Sequence, residues 1–142
     1  MIRRHLGVLP ILAAGLGCAA LADPMGRGNA LEAAQLRYTQ QMRWGNLDAA
    51  SEFVDPALRE EFLSHAPAFE GIRITDYEIG HIDYGEDRDS ATVRVTYRAY
   101  SLASLQEQRI EERQHWVRPG GNTWFVEPEL AGLLEPFPGV GR

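Results

Sequence analysis

The chain has 142 residues, of which 20 are acidic and 14 are basic, and all of these basic residues are arginine. This length fits one domain with a modest hydrophobic core. Because the acidic excess repels phosphate groups and anionic lipid headgroups, the composition argues against a nucleic-acid-binding protein.

The first 22 residues have the pattern of a secretory signal peptide. Residues 1 to 5 are basic, residues 6 to 20 are apolar and uncharged, and Ala20-Leu21-Ala22 forms an A-x-A cleavage site. The apolar stretch is shorter than the about 20 residues that span a bilayer. We expect cleavage after Ala22 and a periplasmic location. Cleavage removes two of the 14 arginines and none of the 20 acidic residues, which leaves 120 residues with a net charge of −8.

Cys18, the single cysteine, offers an alternative processing site. Bacterial lipoproteins resemble one another in a box that ends in the acylated cysteine and carries an aliphatic residue three positions earlier, where this chain has Gly15. The alternative is therefore an outer-membrane lipoprotein anchored at Cys18, and this anchor is the only membrane attachment that we expect. After cleavage at Ala22 no cysteine remains, so packing alone would stabilise the mature domain.

Helical periodicity follows a predicted linker over residues 23 to 29. Apolar residues recur at helical spacing in residues 30 to 44, which predicts the first helix. Asn46 is suited to cap a short second helix, and Asp55, which proline follows, is suited to start a third. The inner face of the third helix is predicted to carry Leu58, Phe62 and His65, and Pro67 ends this helix. The first half of the chain is therefore predicted to form three helices.

The apolar pattern changes from helical spacing to alternation after Gly71. Residues 72 to 84 alternate with a change of phase, which is typical of a bulged strand. Residues 91 to 100 alternate strictly. Further strands are predicted over residues 106 to 117 and 123 to 127. The tail, residues 131 to 142, is rich in proline and glycine, and we expect it to be loose or draped over the surface.

Helices followed by an antiparallel meander define an α+β fold. The segments that carry a family resemblance are YTQQMRWGNLDAASEFVDPALREEF, IRITDYEIGHIDY, ATVRVTYRAYSL and ERQHWVRPGGNTWFVEPEL. Over residues 30 to 130 the chain resembles the nuclear-transport-factor-two-like (SnoaL-like) superfamily, and more closely its small uncharacterised exported proteins from Gram-negative bacteria. The resemblance implies a cone-shaped, cystatin-like α+β roll. In that roll, three N-terminal helices pack on a curved four-stranded antiparallel sheet with a cavity at the open end. It implies no single activity, because the superfamily includes isomerases, dehydratases, binding modules and dimerisation domains.

The register of the central hairpin decides which polar side chains face the helices. If Val95 lies opposite Glu112 and Val93 opposite Gln114, one face of the hairpin is mainly apolar and both polar residues point inward. A shift by one residue would instead place Arg113 beside the valines, which is costlier. We therefore predict the first register.

An inward Glu112 is the strongest indication of a functional site. Burial disfavours the charged carboxylate and raises its pKa, which suits a general acid or base near neutral pH. The alternative interpretation places Glu112 at the open rim, where it is solvated or paired with an arginine. The predicted ligand-binding residues are Tyr38, Trp44, Tyr97, Glu112, Gln114 and Trp116. No catalytic residue is assigned.

Metal and cofactor binding are not predicted. The histidines beyond the predicted leader are His65, His81 and His115. Asp76 and Glu78 share one face of a strand and His81 takes the other, so the three make a poor chelate. We expect the histidines to form ordinary half-buried hydrogen bonds.

The leading hypothesis is an exported, non-enzymatic envelope protein that binds a small apolar or amphipathic ligand, or an envelope protein partner, in the conical pocket. One alternative is an enzyme of the isomerase or dehydratase type that uses Glu112 as a proton shuttle. Another is a scaffold that forms a homodimer through the sheet. The outer face of the sheet is predicted to carry Arg94, Arg98, Arg109 and Arg113 around Glu111.

Overall fold

The computed structural model describes the backbone of residues 22 to 140 and the side chains of residues 29 to 140. The helices of the first half are α1 (Ala22–Trp44), α2 (Leu47–Ser51), a 3-10 turn (Pro56–Leu58), α3 (Arg59–Ser64) and α4 (Ala66–Glu70). The strands β1 (Ile72–Tyr84), β2 (Ser90–Ser101), β3 (Gln108–Gly120) and β4 (Thr123–Glu127) follow, and then the helix α5 (Leu130–Leu134). Residues 1 to 21, with most of the predicted signal peptide and Cys18, lie outside the described residues.

The structure is an α+β fold with one four-stranded antiparallel sheet, but the predicted cone of three N-terminal helices on that sheet is wrong. Only α1 is long, and it also covers residues 23 to 29, which we predicted as a linker. The chain from residue 47 to residue 70 divides into short helices because it contains repeated start signals. Asn46 accepts a hydrogen bond from the Ala49 N–H at 3.2 Å, and Asp55 accepts one from the Ala57 N–H at 2.9 Å.

The sheet is a meander in the order β1-β2-β3-β4. Its central hairpin has the predicted register, because Val95 lies opposite Glu112 and Val93 opposite Gln114. The inner side chains of β2, among them Val93, Val95 and Tyr97, are fully buried under the helices. This register turns the polar side chains of Glu112 and Gln114 toward the same core.

Two bulges bend β1, one between Ile74 and Asp76 and one between Ile79 and Ile82. They account for the change of phase in the sequence pattern, since each bulge adds an unpaired residue to the strand. Gly80 lies within the second bulge. A Cβ atom at this position would be 2.9 Å from the carbonyl oxygen of Arg94 on β2. Glycine therefore permits the close approach of the two backbones.

The substitution Gly80→Ala should destabilise the fold by about 1–3 kcal/mol, because the added methyl group meets backbone rather than a flexible side chain. Gly120→Ala is the matched control, since a Cβ atom there meets nothing within 4 Å. Urea unfolding of both variants measures the difference. Equal stabilities of the two variants would contradict this account of the bulge.

The α5 helix and the residues after it lie along β3. β4 pairs only with the second half of β3, from His115 to Gly120. Beside the first half of β3, α5 buries Leu130 and Leu133. The side-chain Nε2 of Gln108 on β3 donates to the Pro136 carbonyl at 3.3 Å. The residues after α5 also pack on the domain, because Phe137 is buried and Val140 contacts the hydrophobic core.

Candidate functional site

Polar side chains from α1 and from the inner face of the sheet meet in a buried cluster, which we call the inner polar network. Gln35 and Thr39 are four residues apart on α1 and therefore lie on one face of the helix. Glu112, Gln114 and Trp116 alternate along β3 and therefore point to one side of the sheet. The network consists of Gln35, Thr39, Tyr97, Glu112, Gln114 and the indole N–H of Trp116.

Gln114 connects the two layers and is fully buried. Its Oε1 accepts hydrogen bonds from Gln35 Nε2 and from Trp116 Nε1, both at 3.2 Å. Its Nε2 donates to Glu112 Oε2 at 2.9 Å and lies 3.3 Å from Thr39 Oγ1. A buried amide with both ends paired holds the network in one arrangement.

Glu112 carries the most unusual electrostatics of the network. Its side chain is 2% exposed, and its Oε2 accepts hydrogen bonds from Gln114 and from the Tyr97 hydroxyl, each at 2.9 Å. Its Oε1 makes no hydrogen bond within residues 29 to 140. Burial raises the pKa of Glu112 from 4.5 to about 7, although both hydrogen bonds lower it, and the charge of Glu129 adds to the rise. The folded protein therefore holds this proton up to neutral pH.

The raised pKa predicts a specific pH dependence of stability. Because the folded state binds the Glu112 proton more tightly than the unfolded state, this group stabilises the fold most at acidic pH. Its contribution is lost between pH 4.5 and pH 7. The loss should be about 3 kcal/mol, taking 1.36 kcal/mol for each pKa unit. Urea unfolding measures this difference. Between pH 4.5 and pH 7, the free energy of unfolding of Glu112→Gln should fall by about 3 kcal/mol less than that of the wild type.

Glu111→Gln is the matched control for this experiment, because Glu111 is the neighbouring residue on the exposed face of β3. Its stability profile should keep the slope of the wild type. If Glu112→Gln also keeps that slope, the Glu112 proton is not linked to folding.

Five of the six predicted ligand-binding residues lie together in the core. Tyr38 packs edge-on against Trp116, with ring centroids 5.9 Å apart, next to Tyr97, Glu112 and Gln114. Each of the five is at most 2% exposed, so they are packed side chains and not the walls of an open cavity. A ligand could reach them only if a neighbouring side chain moved.

The sixth predicted residue, Trp44, lies elsewhere, so its prediction as a wall of this site is wrong. It is 76% exposed at the end of α1, where the Arg43 guanidinium lies 4.8 Å from its ring centroid. The reason is helical geometry. Trp44 follows Tyr38 by six residues, which places it about 120° away around a helix with 3.6 residues per turn.

A groove opens beside the inner polar network, between α3 and α5, and we call it the α3–α5 groove. Its volume is about 350 Å³. Its principal walls are Leu58, Glu61, Phe62, His65, Glu129 and Leu130, and Gly132 lies at its α5 side. The Phe62 ring forms the floor and lies 6.4 Å from the Tyr38 ring behind it. Glu112 is not among the residues that line the groove.

The sequence predicted one wall of this groove and missed the other. The helix starting at Asp55 was predicted to turn Leu58, Phe62 and His65 inward, and these residues line the groove. The opposite wall is residues 128 to 132, around the start of α5. We predicted no helix there and expected residues 131 to 142 to be loose or draped over the surface because of their prolines and glycines. The spacing of Leu130 and Leu133, both buried, is the signal that could have indicated the helix.

The outer face of the sheet carries the four predicted arginines. Arg94 lies opposite Arg113, and Arg98 lies opposite Arg109. The guanidinium of Arg94 pairs with Glu111 at 3.1 Å, and that of Arg98 pairs with the Asp76 carboxylate. Within residues 29 to 140, Arg109 and Arg113 form no ion pair. Two guanidinium groups are thus available on this face.

The described residues form neither a metal-ligating cluster nor a membrane-spanning helix. Within the part of the chain that the structure describes, no three His, Cys, Asp or Glu side chains are arranged so that they could hold a metal ion. Among the helices between residues 22 and 140, none combines the length and the apolarity that crossing a bilayer requires.

Comparison with known proteins supports an α+β fold and corrects the family resemblance. No family model and no curated protein sequence matches the chain. The solution structure of a SEC-C motif containing protein from Rhodopseudomonas palustris is similar, with a TM-score of 0.52 over 63% of this chain and 68% of that chain. The two sequences are 15% identical, so the likeness concerns the fold alone. The resemblance to the nuclear-transport-factor-two-like superfamily thus has no support from a family model, and the similar solved structure is described differently.

Proposed function

We propose that this chain is an exported envelope protein that binds a small amphipathic ligand in the α3–α5 groove. The groove carries this proposal, because it combines an apolar floor of Leu58 and Phe62 with the polar side chains of Glu61 and Glu129. Its volume of about 350 Å³ falls at the lower end of the range of small-molecule sites. Export is supported by the basic start and the apolar core of residues 1 to 22.

Binding is favoured over catalysis by the position of Glu112. A general acid or base must come within hydrogen-bonding distance of the reacting proton. Glu112 is buried and does not line the groove, and its Oε2 already accepts hydrogen bonds from Tyr97 and Gln114. Proton transfer between Glu112 and a ligand would require the surrounding core to open first, whereas binding in the groove requires no such movement.

Filling the groove from α5 tests the proposal. A Cβ atom at Gly132 meets nothing within 4 Å, so Gly132→Phe should place its ring in the groove without disturbing the fold. The uncharged fluorescent probe N-phenyl-1-naphthylamine should bind the wild type and bind this variant at least about tenfold more weakly. Gly120→Phe is the control, since Gly120 is equally open and does not line the groove. Equal binding of the probe by both variants would contradict the assignment of the groove.

A second candidate function is self-association through the outer face of the sheet. On that face Glu78 and Asp83 of β1 form an acidic row, and Arg109 and Arg113 of β3 form a basic row. A two-fold axis along β2 would place the acidic row of one copy on the basic row of the other, and the reverse. This charge complementarity supports a homodimer.

Charge reversal tests self-association. The double variants Arg109→Glu/Arg113→Glu and Glu78→Arg/Asp83→Arg should each sediment as monomers, because like charges then face each other. An equimolar mixture of the two should form a heterodimer, since opposite charges meet again. The wild-type dimer should weaken as salt is added. Wild-type protein that sediments only as a monomer would contradict this second candidate.

A further inference from the structure

We infer that the ligand of the α3–α5 groove is an organic cation, a protonated amine carried on a small apolar body. This inference rests on the proposed function and adds the chemical class of the ligand. It follows from the sign of the charges around the groove, from its apolar walls and from its size.

The charged side chains that line the groove are carboxylates. Glu61 projects from α3 and Glu129 from the start of α5, and His65 is the other titratable group of the lining. Among residues 29 to 140, no arginine lies in this lining, and the chain contains no lysine. A concave site lined by charges of one sign concentrates the opposite charge.

The nearest arginine of α3 is held away from the groove by backbone contacts. Arg59 Nε donates to the Val54 carbonyl at 3.1 Å, and Arg59 Nη2 donates to the Glu52 carbonyl at 3.2 Å. Its guanidinium therefore has partners outside the groove lining. The two groove carboxylates keep their charge available for a ligand.

The walls also restrict the body of the ligand. Leu58, Phe62 and Leu130 provide an apolar surface, and the volume of about 350 Å³ accommodates one aromatic ring with a short chain. The edge of the groove carries the carboxylates, so an amine at the end of that chain would meet them while the ring covers Phe62. An arylalkylamine matches both requirements.

Three probes with the same aromatic ring but different charge distinguish the effect of charge on binding from the effect of apolar burial. These are 2-phenylethylamine, 2-phenylethanol and phenylacetate, titrated at neutral pH into the isotopically labelled protein. The amide signals of Ala131 and Gly132, both in the groove lining, report binding by NMR. We expect the amine to bind about tenfold more tightly than the alcohol, since a charge-assisted hydrogen bond replaces a neutral one. We expect phenylacetate to bind most weakly.

Matched variants locate the effect. Glu61→Gln and Glu129→Gln should each weaken amine binding by about three- to tenfold and leave binding of the alcohol unchanged. Glu60→Gln is the control, because Glu60 is exposed on α3 and does not line the groove. Its affinity for the amine should equal that of the wild type.

The outcomes separate this inference from the proposed function. If the alcohol binds as tightly as the amine, or if Glu60→Gln weakens amine binding as much as Glu129→Gln, the cation inference is wrong and the groove remains a ligand site. If none of the probes shifts the amide signals and N-phenyl-1-naphthylamine also fails to bind, the proposed function itself is wrong.

Discussion

The inner polar network imposes the main constraint on this structure, because it buries a carboxyl group in the middle of an apolar core. Glu112 lies on the inner face of β3 between Ile110 and Gln114 and opposite the buried Val95, and desolvation of its charge opposes folding. Gln114 and Tyr97 reduce this cost by donating hydrogen bonds to one carboxylate oxygen. Gln35 of α1 then fixes Gln114 from the other layer. The orientation of α1 over the sheet is therefore tied to a polar contact as well as to hydrophobic packing, and a helix shifted along the sheet would leave buried polar groups unpaired.

The packing of the core determines where the α3–α5 groove lies. The packing of Tyr38 against Trp116 fills the space above β3, so the interior of the sheet holds side chains where an open cone would hold a ligand. The groove offers space for a guest where α3 and α5 approach each other. Phe62 belongs to both regions, because its ring packs toward Tyr38 on one side and lines the groove on the other. The buried network and the accessible groove are therefore neighbouring parts of one core.

The sequence allowed the strands and their register to be predicted, because alternation and the cost of burying arginine both act within a few residues. Strict alternation over β2, together with the cost of burying Arg113, placed Glu112 and Gln114 on the inner face. The helical half was harder to predict. Asn46 and Asp55 were interpreted correctly as helix caps, but Pro67 lies in the first turn of α4 and does not end a helix. Residues 47 to 70 contain so many start signals that they form several short helices, and the packing of these helices depends on distant contacts. Whether the core at Glu112 is open or filled depends on how the side chains of α1 fit the sheet, and no local pattern carries that information. The wall that α5 provides was missed for the same reason, since it forms against β3.

The position of α5 has a consequence for the behaviour of the chain at high concentration. In the part of the chain that the structure describes, the first half of β3 has no strand neighbour on the side away from β2, because β4 reaches only as far as His115. An uncovered strand of this kind offers its free amide and carbonyl groups to any extended peptide that approaches. That side is covered instead by α5 and by the residues that follow it as far as Pro136. The carbonyl of Pro136 accepts a hydrogen bond from the side chain of Gln108. By covering this edge, α5 prevents strands of other molecules from pairing with β3. Such protection against aggregation matters most where the protein concentration is high.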